Sequence, residues 1–297
     1  MPPAAGGQAS REYVLILSCP DRTGIVHAVA AYLHEAGCNV LDSQQFGDRI
    51  AGRFFMRVHV ETVPGAPLTY DSLYGGFTAV AAEFGMEWEL HDTAVQPRAL
   101  IMVSKAGHCL NDLLYRRAAE SLRIDVPLVV GNHPDLAALE AAHGVPFEYV
   151  PVGTPGDPLA AQRSEGRLLD LVSELSIDFV VLARYMRILS PELCAKMAGR
   201  IINIHHSFLP SFKGARPYHQ AHAHGVKLIG ATAHYVTPDL DEGPIIEQEV
   251  ARVHHADSPE DLAAIGRDAE RVALARAVRW HAEHRVLLHG RRTVIFR

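Results

Sequence analysis

The sequence predicts an α/β protein in two parts, an N-terminal β-α-β-β-α-β module and a larger domain built on a mostly parallel sheet. Three observations carry this. Over residues 11–92, segments of period two and period 3.6 follow one another in the β-α-β-β-α-β order. Residues 91–98, His-Asp-Thr-Ala-Val-Gln-Pro-Arg, are polar and contain a proline, the composition of a boundary. Beyond them apolar strands alternate with helical stretches, as they do when crossover helices join parallel strands. The expected division is a disordered start over 1–10, a first domain over 11–92, a linker over 93–98 and a second domain over 99–297.

In chain order, Tyr13 to Ser18 read as a buried strand, and Asp21 or Thr23 is expected to cap a helix over 25–35 that Gly37 ends. Residues 38–46 and 54–61 pair as an antiparallel hairpin with its turn at Gly47-Asp48-Arg49. A helix over 71–84, interrupted in composition by Gly75 and Gly76, and a strand over 86–91 complete the module. In the second part, strands are expected at 99–103, 126–130, 146–150 and 179–182, with helices at 108–120, 135–142 and 158–175 between them. Ser190 and Pro191 open a helix. A strand over 227–236 follows, and Ser258, Pro259 and Asp261 open a long amphipathic helix expected to reach 289. Thr293 to Phe296 are expected to add an edge strand.

A chain of 297 residues, 48% of them hydrophobic, buries a large core. No apolar run approaches the ~20 residues of a membrane span, and the first residues lack a signal peptide's basic and apolar regions, so a cytoplasmic protein is expected. With 28 basic against 34 acidic residues and no basic run, nucleic acid is excluded as a partner and a small molecule favoured. Cys19, Cys38, Cys109 and Cys194 are scattered and read as reduced packing residues. Of the 18 histidines, His219 and His222 share a helical face, but no carboxylate or cysteine stands at ligand spacing, so no metal is expected. The turn after residue 103, Ser-Lys-Ala-Gly-His, has one glycine and is a poor pyrophosphate cradle, which argues against a dinucleotide cofactor in this Rossmann-like region.

The chemistry concentrates in residues 201–217, where an apolar strand runs into a loop rich in proline and glycine. Asn203 and His205, two apart on a strand, project from one face, and alternation turns His206 to the other. Past the next strand, Thr237-Pro238-Asp239-Leu240-Asp241-Glu242-Gly243 forms an acidic loop that can face them. An amide donor, an imidazole and a carboxylate suffice to stabilise an oxyanion and to move a proton.

Two resemblances follow from these residues. Asp-Arg-Thr-Gly-Ile-Val at 21–26 and Gly-Cys-Asn-Val at 37–40 resemble an ACT domain, a ferredoxin-like module. That resemblance implies an amino-acid effector near Asp21, Gly24, Gly37 and Asn39, and pairing with copies of itself, hence a homo-oligomer. Asn203-Ile-His205, then Ser207-Phe-Leu-Pro, then Asp241 followed by Gly243-Pro-Ile-Ile, resemble the folate-dependent formyltransferase family over about 97–280.

The second resemblance implies Asn203, His205 and Asp241 as catalytic residues. It also implies a pterin pocket along Met186, Arg187, Ile188 and Leu189, closed by a loop that includes Asp239 and Leu240. The turn at 104–108 resembles the family's deformylase branch rather than its glycine-rich phosphate turn. The implied reaction is hydrolysis of 10-formyltetrahydrofolate to tetrahydrofolate and formate, which supplies purine synthesis and balances one-carbon pools, with no cofactor beyond the folate. The alternatives are formyl transfer to an amine such as glycinamide ribonucleotide, or a non-catalytic folate and amino-acid sensor.

Overall fold

The computed structural model describes residues 10–63, 68–153, 158–208 and 217–297. The expected disordered start, apart from Ser10, lies outside the described residues, as do Leu209, Pro210 and the rest of the loop to residue 216. The chain forms two compact units. One gathers Met1–Val95, His284–Leu287 and Val294–Arg297, and the other Gln96–Glu283 and Leu288–Thr293.

In the first unit, β1 (Glu12–Pro20), β2 (Cys38–Asp48), β3 (Arg53–Thr62) and β4 (Glu87–Asp92) make an antiparallel sheet in the order β2-β3-β1-β4. Helices α1 (Ile25–Glu35) and α2 (Tyr70–Phe84) bury Val29, Leu33, Leu73 and Phe77 in one core with Leu15, Leu17, Met56 and Val58 of the sheet. This is the ferredoxin-like arrangement of an ACT domain.

Three local expectations change. Helix α1 starts at Gly24, whose φ of 96° only glycine adopts readily, and no side chain caps it, so neither Asp21 nor Thr23 serves. The hairpin turns after Asp48, whose Oδ1 accepts the N–H groups of Ile50 and Ala51, two residues later than expected. Helix α2 runs through Gly75 and Gly76 without a break. At Gly76 a Cβ would strike the ring of Tyr32, whose hydroxyl donates to the Leu73 carbonyl at 2.6 Å.

In the second unit, seven strands stand in the order β11-β10-β9-β8-β5-β6-β7. They are β5 (Arg98–Val103), β6 (Asp125–Gly131), β7 (Phe147–Tyr149), β8 (Phe179–Leu182), β9 (Ile201–His205), β10 (Leu228–Tyr235) and β11 (Ile245–Arg252). The five from β9 to β7 are parallel, β10 runs antiparallel to β9, and β11 runs antiparallel to β10. From β5 the chain first winds through β6 and β7 and then returns through β8 and β9, so strand order reverses between β5 and β8, where such sheets open a ligand crevice.

The helices of this unit are α3 (His108–Ala118), α4 (Ala137–Ala142), α5 (Pro158–Glu174), α6 (Pro191–Lys196), α7 (Pro217–Ala223) and α8 (Pro259–Ala282). Ser258 and Asp261 form the expected capping box of α8. That helix ends at Ala282 rather than 289. Glu283 closes it, His284 takes a φ of 52°, and the chain becomes β12 (Val286–His289). The expected last strand, β13 (Arg292–Ile295), pairs with β12 as a separate two-stranded sheet.

Candidate active site

Strand β9 puts Asn203 and His205 on one face, while Ile202 and Ile204 are buried. Its antiparallel register with β10 sets His234 opposite Asn203 and Thr232 opposite His205. Cross-strand partners share a face, so four polar side chains line the same patch. The chain then doubles back over it. The Tyr235 N–H donates to the Pro244 carbonyl at 2.9 Å, and a Cβ on Gly243 would collide with the Tyr235 carbonyl, so only glycine fits there. Asp241 completes the turn with a φ of 55°, a backbone state that bulky residues avoid.

Asp241 Oδ2 lies 3.1 Å from His205 Nδ1, and Oδ1 lies 3.5 Å from His234 Nε2. Hydrogen bonding from His205, then from His234, outweighs burial and holds the carboxyl well below the usual carboxylate range. The neighbours fix the ring protons. Because a carboxylate only accepts, His205 Nδ1 donates to Asp241, and Nε2, 2.9 Å from Ser207 Oγ, carries the lone pair when the ring is neutral. His234 Nδ1 likewise donates to the Tyr235 carbonyl at 2.9 Å, so on the neutral ring Nε2 accepts from Asn203 Nδ2 at 3.2 Å, and only the protonated ring donates from Nε2 to Asp241. One N–H of Asn203 is thereby anchored, and its second is available to a ligand oxygen.

A cleft of about 240 Å³ opens here, lined by 182–189 except Ala183, by 203–206, and by His234, Thr237, Pro238, Leu240 and Asp241 among others. Met186, Ile188 and Leu240 expose apolar side chains along it, suited to an aromatic ring. Leu189 is buried in the unit's core as well as lining the cleft, and Arg187 is exposed. Asp239 does not line it; that residue is exposed, and its carbonyl accepts from Thr237 Oγ1 at 3.1 Å. The Met186 N–H donates to Ser104 Oγ at 2.9 Å, tying the cleft wall to the turn after β5.

His206 does not turn away: β9 ends at His205, alternation ends with it, and the His206 ring lies over that of His205 at 4.8 Å and 28°. Burial, then the charge of Arg184, pushes His206 down to about 4. His234 escaped the sequence reading because it sits in an apolar strand; a lone titratable residue between Ala233 and Tyr235 was the available signal.

Behind His206, Glu270 of α8 is 1% exposed. His108 Nε2 approaches its carboxylate at 2.8 Å, the Tyr218 hydroxyl donates to it at 3.1 Å, and Arg184 pairs with it at 3.4 Å. The donor atoms of His108, Cys109 and Glu270 lie within 4.8 Å of one another. A cation there would meet the Arg184 guanidinium and a thiol that burial pushes up and keeps protonated, so this is a poor metal site.

In the first unit, Gly24 and Gly37 have φ of 96° and 81° on either side of α1. The Asp21 N–H donates to the Gly52 carbonyl at 2.9 Å, and Asn39 Nδ2 donates to Glu61 at 2.9 Å.

Comparison with known proteins agrees with both halves of this arrangement. The formyl transferase family matches residues 97–278 and the ACT domain family residues 13–73. A formyltetrahydrofolate deformylase of Corynebacterium sp. (strain P-1) is 48% identical over 285 residues, 96% of this chain and 98% of that protein. The crystal structure of the formyltetrahydrofolate deformylase from Burkholderia mallei superposes with a TM-score of 0.91 at 50% identity, covering 97% of this chain and all of that one. Glycinamide ribonucleotide transformylase 1 from Symbiobacterium toebii matches 70% of this chain and 98% of its own, at 31% identity and a TM-score of 0.63.

Proposed function

The chain belongs to the formyltetrahydrofolate deformylase family, and from that premise we propose that it hydrolyses 10-formyltetrahydrofolate to tetrahydrofolate and formate through Asn203, His205 and Asp241. The observation that carries the residue assignment is the chain Asn203–His234–Asp241–His205, closed by contacts of 3.2, 3.5 and 3.1 Å on one wall of the cleft.

Hydrolysis has three needs, and the side chains divide them. Water attacks the formyl carbon and its proton passes to an imidazole. Asp241 is a weak base, held below its usual range, so His205 Nε2 takes the proton while Asp241 orients the ring and steadies its positive charge. The formyl oxygen becomes an oxyanion, to which Asn203 presents its second N–H; one such preorganised donor is worth ~10²–10³ in rate. The C–N10 bond then breaks, His205 returns the proton to N10, and formate and tetrahydrofolate leave. The exposed side chains of Met186, Ile188 and Leu240 suit the pterin ring, and no cofactor beyond the folate enters these steps.

Transfer to an amine is the second reading, supported by the transformylase similarity. The single-glycine turn after β5 weighs against it, since it makes a poor phosphate cradle. Purified protein given 10-formyltetrahydrofolate without an amine should release formate and tetrahydrofolate in equal amounts. Turnover that waits for glycinamide ribonucleotide would transfer the assignment to the second reading.

The ACT domain supports an amino-acid effector of one-carbon supply, such as glycine or methionine, bound near Asp21, Gly24, Gly37 and Asn39 of a homo-oligomer. Identical kinetics with and without each amino acid would remove that proposal. Among the described residues no helix is long and apolar enough to cross a membrane, and the four cysteines are free and buried, which suits work in the cytoplasm.

A further inference from the structure

The cluster behind the cleft has no part in the steps above, yet its groups are closely paired. Glu270 is among the few buried charged side chains of the described residues, and it has three partners from three other segments. These are His108 at the start of α3, Arg184 after β8 and Tyr218 of α7. Burial pushes its carboxyl up, but the hydrogen bond from His108, the charge of Arg184 and the hydroxyl of Tyr218 outweigh this and keep it ionised.

Two of those partners act on His206. The Tyr218 hydroxyl also reaches the His206 carbonyl at 3.4 Å, and Arg184 bears on the His206 ring by charge. A Cβ on Gly266 would strike the Tyr218 hydroxyl, so α8 keeps a glycine where the tyrosine must seat. Arg184 is held with a φ of 65°, a second non-glycine strain at this cleft beside Asp241. The titratable groups facing His206 are Arg184, His205, Glu270 and Asp241. Those facing the network from outside are Cys109 and Asp112 on α3 and Arg267 and Arg271 on α8.

We propose that Glu270 is a positioning residue for the hydrolysis: through Arg184 and Tyr218 it holds His206 face-on against His205, so that the His205 ring keeps the orientation in which Nδ1 meets Asp241. The proposal rests on the hydrolytic reading above. Without the clamp His206 can leave the 4.8 Å stack, and the His205 ring loses the surface that holds it in its reacting orientation.

Glu270 and Tyr218 do not line the cleft, so their loss should be read in turnover rather than in substrate affinity. In the full-length enzyme, Glu270→Gln should lower kcat about tenfold and move the pH profile of kcat, with KM within about twofold of the parent. Tyr218→Phe should lower kcat about threefold with the same unchanged KM. A kcat and pH profile that superimpose on the parent's in folded Glu270→Gln protein would overturn the proposal. If that variant does not fold, Tyr218→Phe decides by the same criterion. A parent enzyme that releases no formate would instead overturn the hydrolytic reading on which the proposal stands.

Discussion

His205 Nδ1 and Asp241 Oδ2 stand 3.1 Å apart although 36 residues separate them, because β10 pairs beside β9 and the following loop folds back over both. The carboxylate thus fixes which nitrogen of His205 carries the proton and leaves Nε2, beside Ser207 Oγ, free to accept one. Asp241→Asn keeps the shape but loses that charge, and its amide can turn an N–H toward the ring and favour the wrong tautomer. Formate release should fall by about 10³-fold or more while the protein remains folded. Turnover like the parent's would remove Asp241 from the mechanism.

Asn203 and His234 are register partners, and each orients the other. Asn203→Ala should lower kcat by about 10²–10³. His234→Phe should also lower it, by about tenfold, because Asn203 and Asp241 both lose a partner. Steady-state kinetics on both variants check this, and a double variant less damaged than the sum of the singles would be the mark of one shared pathway.

Gly243 lets the Asp241 loop pass the Tyr235 carbonyl. Gly243→Ala should force that loop outward, lowering formate release by at least about tenfold and the thermal midpoint by several degrees. An alanine variant with full activity and an unchanged midpoint would show that the loop is not held there.

Protein stability should fall as pH drops from about 6.5 to about 4. In the unfolded chain His206 takes up a proton near its ordinary value, while in the folded protein burial and Arg184 delay uptake to about 4. Over that window the unfolded state binds more protons, so acid costs stability, on the order of 2 kcal/mol after discounting for partial hydration. Urea unfolding of the parent and of His206→Asn at pH 7 and pH 4.5 measures it. The variant should lose less, and equal losses would contradict the burial of His206.

Much of this was legible in the sequence because period and punctuation are local. The helix over 25–35, the capping box at Ser258 and the shared face of Asn203 and His205 follow from spacing alone. What is nonlocal was not. His234 gains its meaning only from strand register, and Glu270 looks like any acid on an amphipathic helix until packing buries it. Alternation placed His206 on the wrong face because a one-residue difference in where β9 ends reverses the answer. The end of α8 was hidden as well, since nothing in 283–289 breaks a helix on its own.

The most direct test of the central claim is turnover in water enriched in oxygen-18, with 10-formyltetrahydrofolate and no amine present. Hydrolysis places one solvent oxygen beside the original formyl oxygen, so each formate should carry a single label and match the tetrahydrofolate formed. Unlabelled formate, or tetrahydrofolate that forms only when an amine is added, would contradict it.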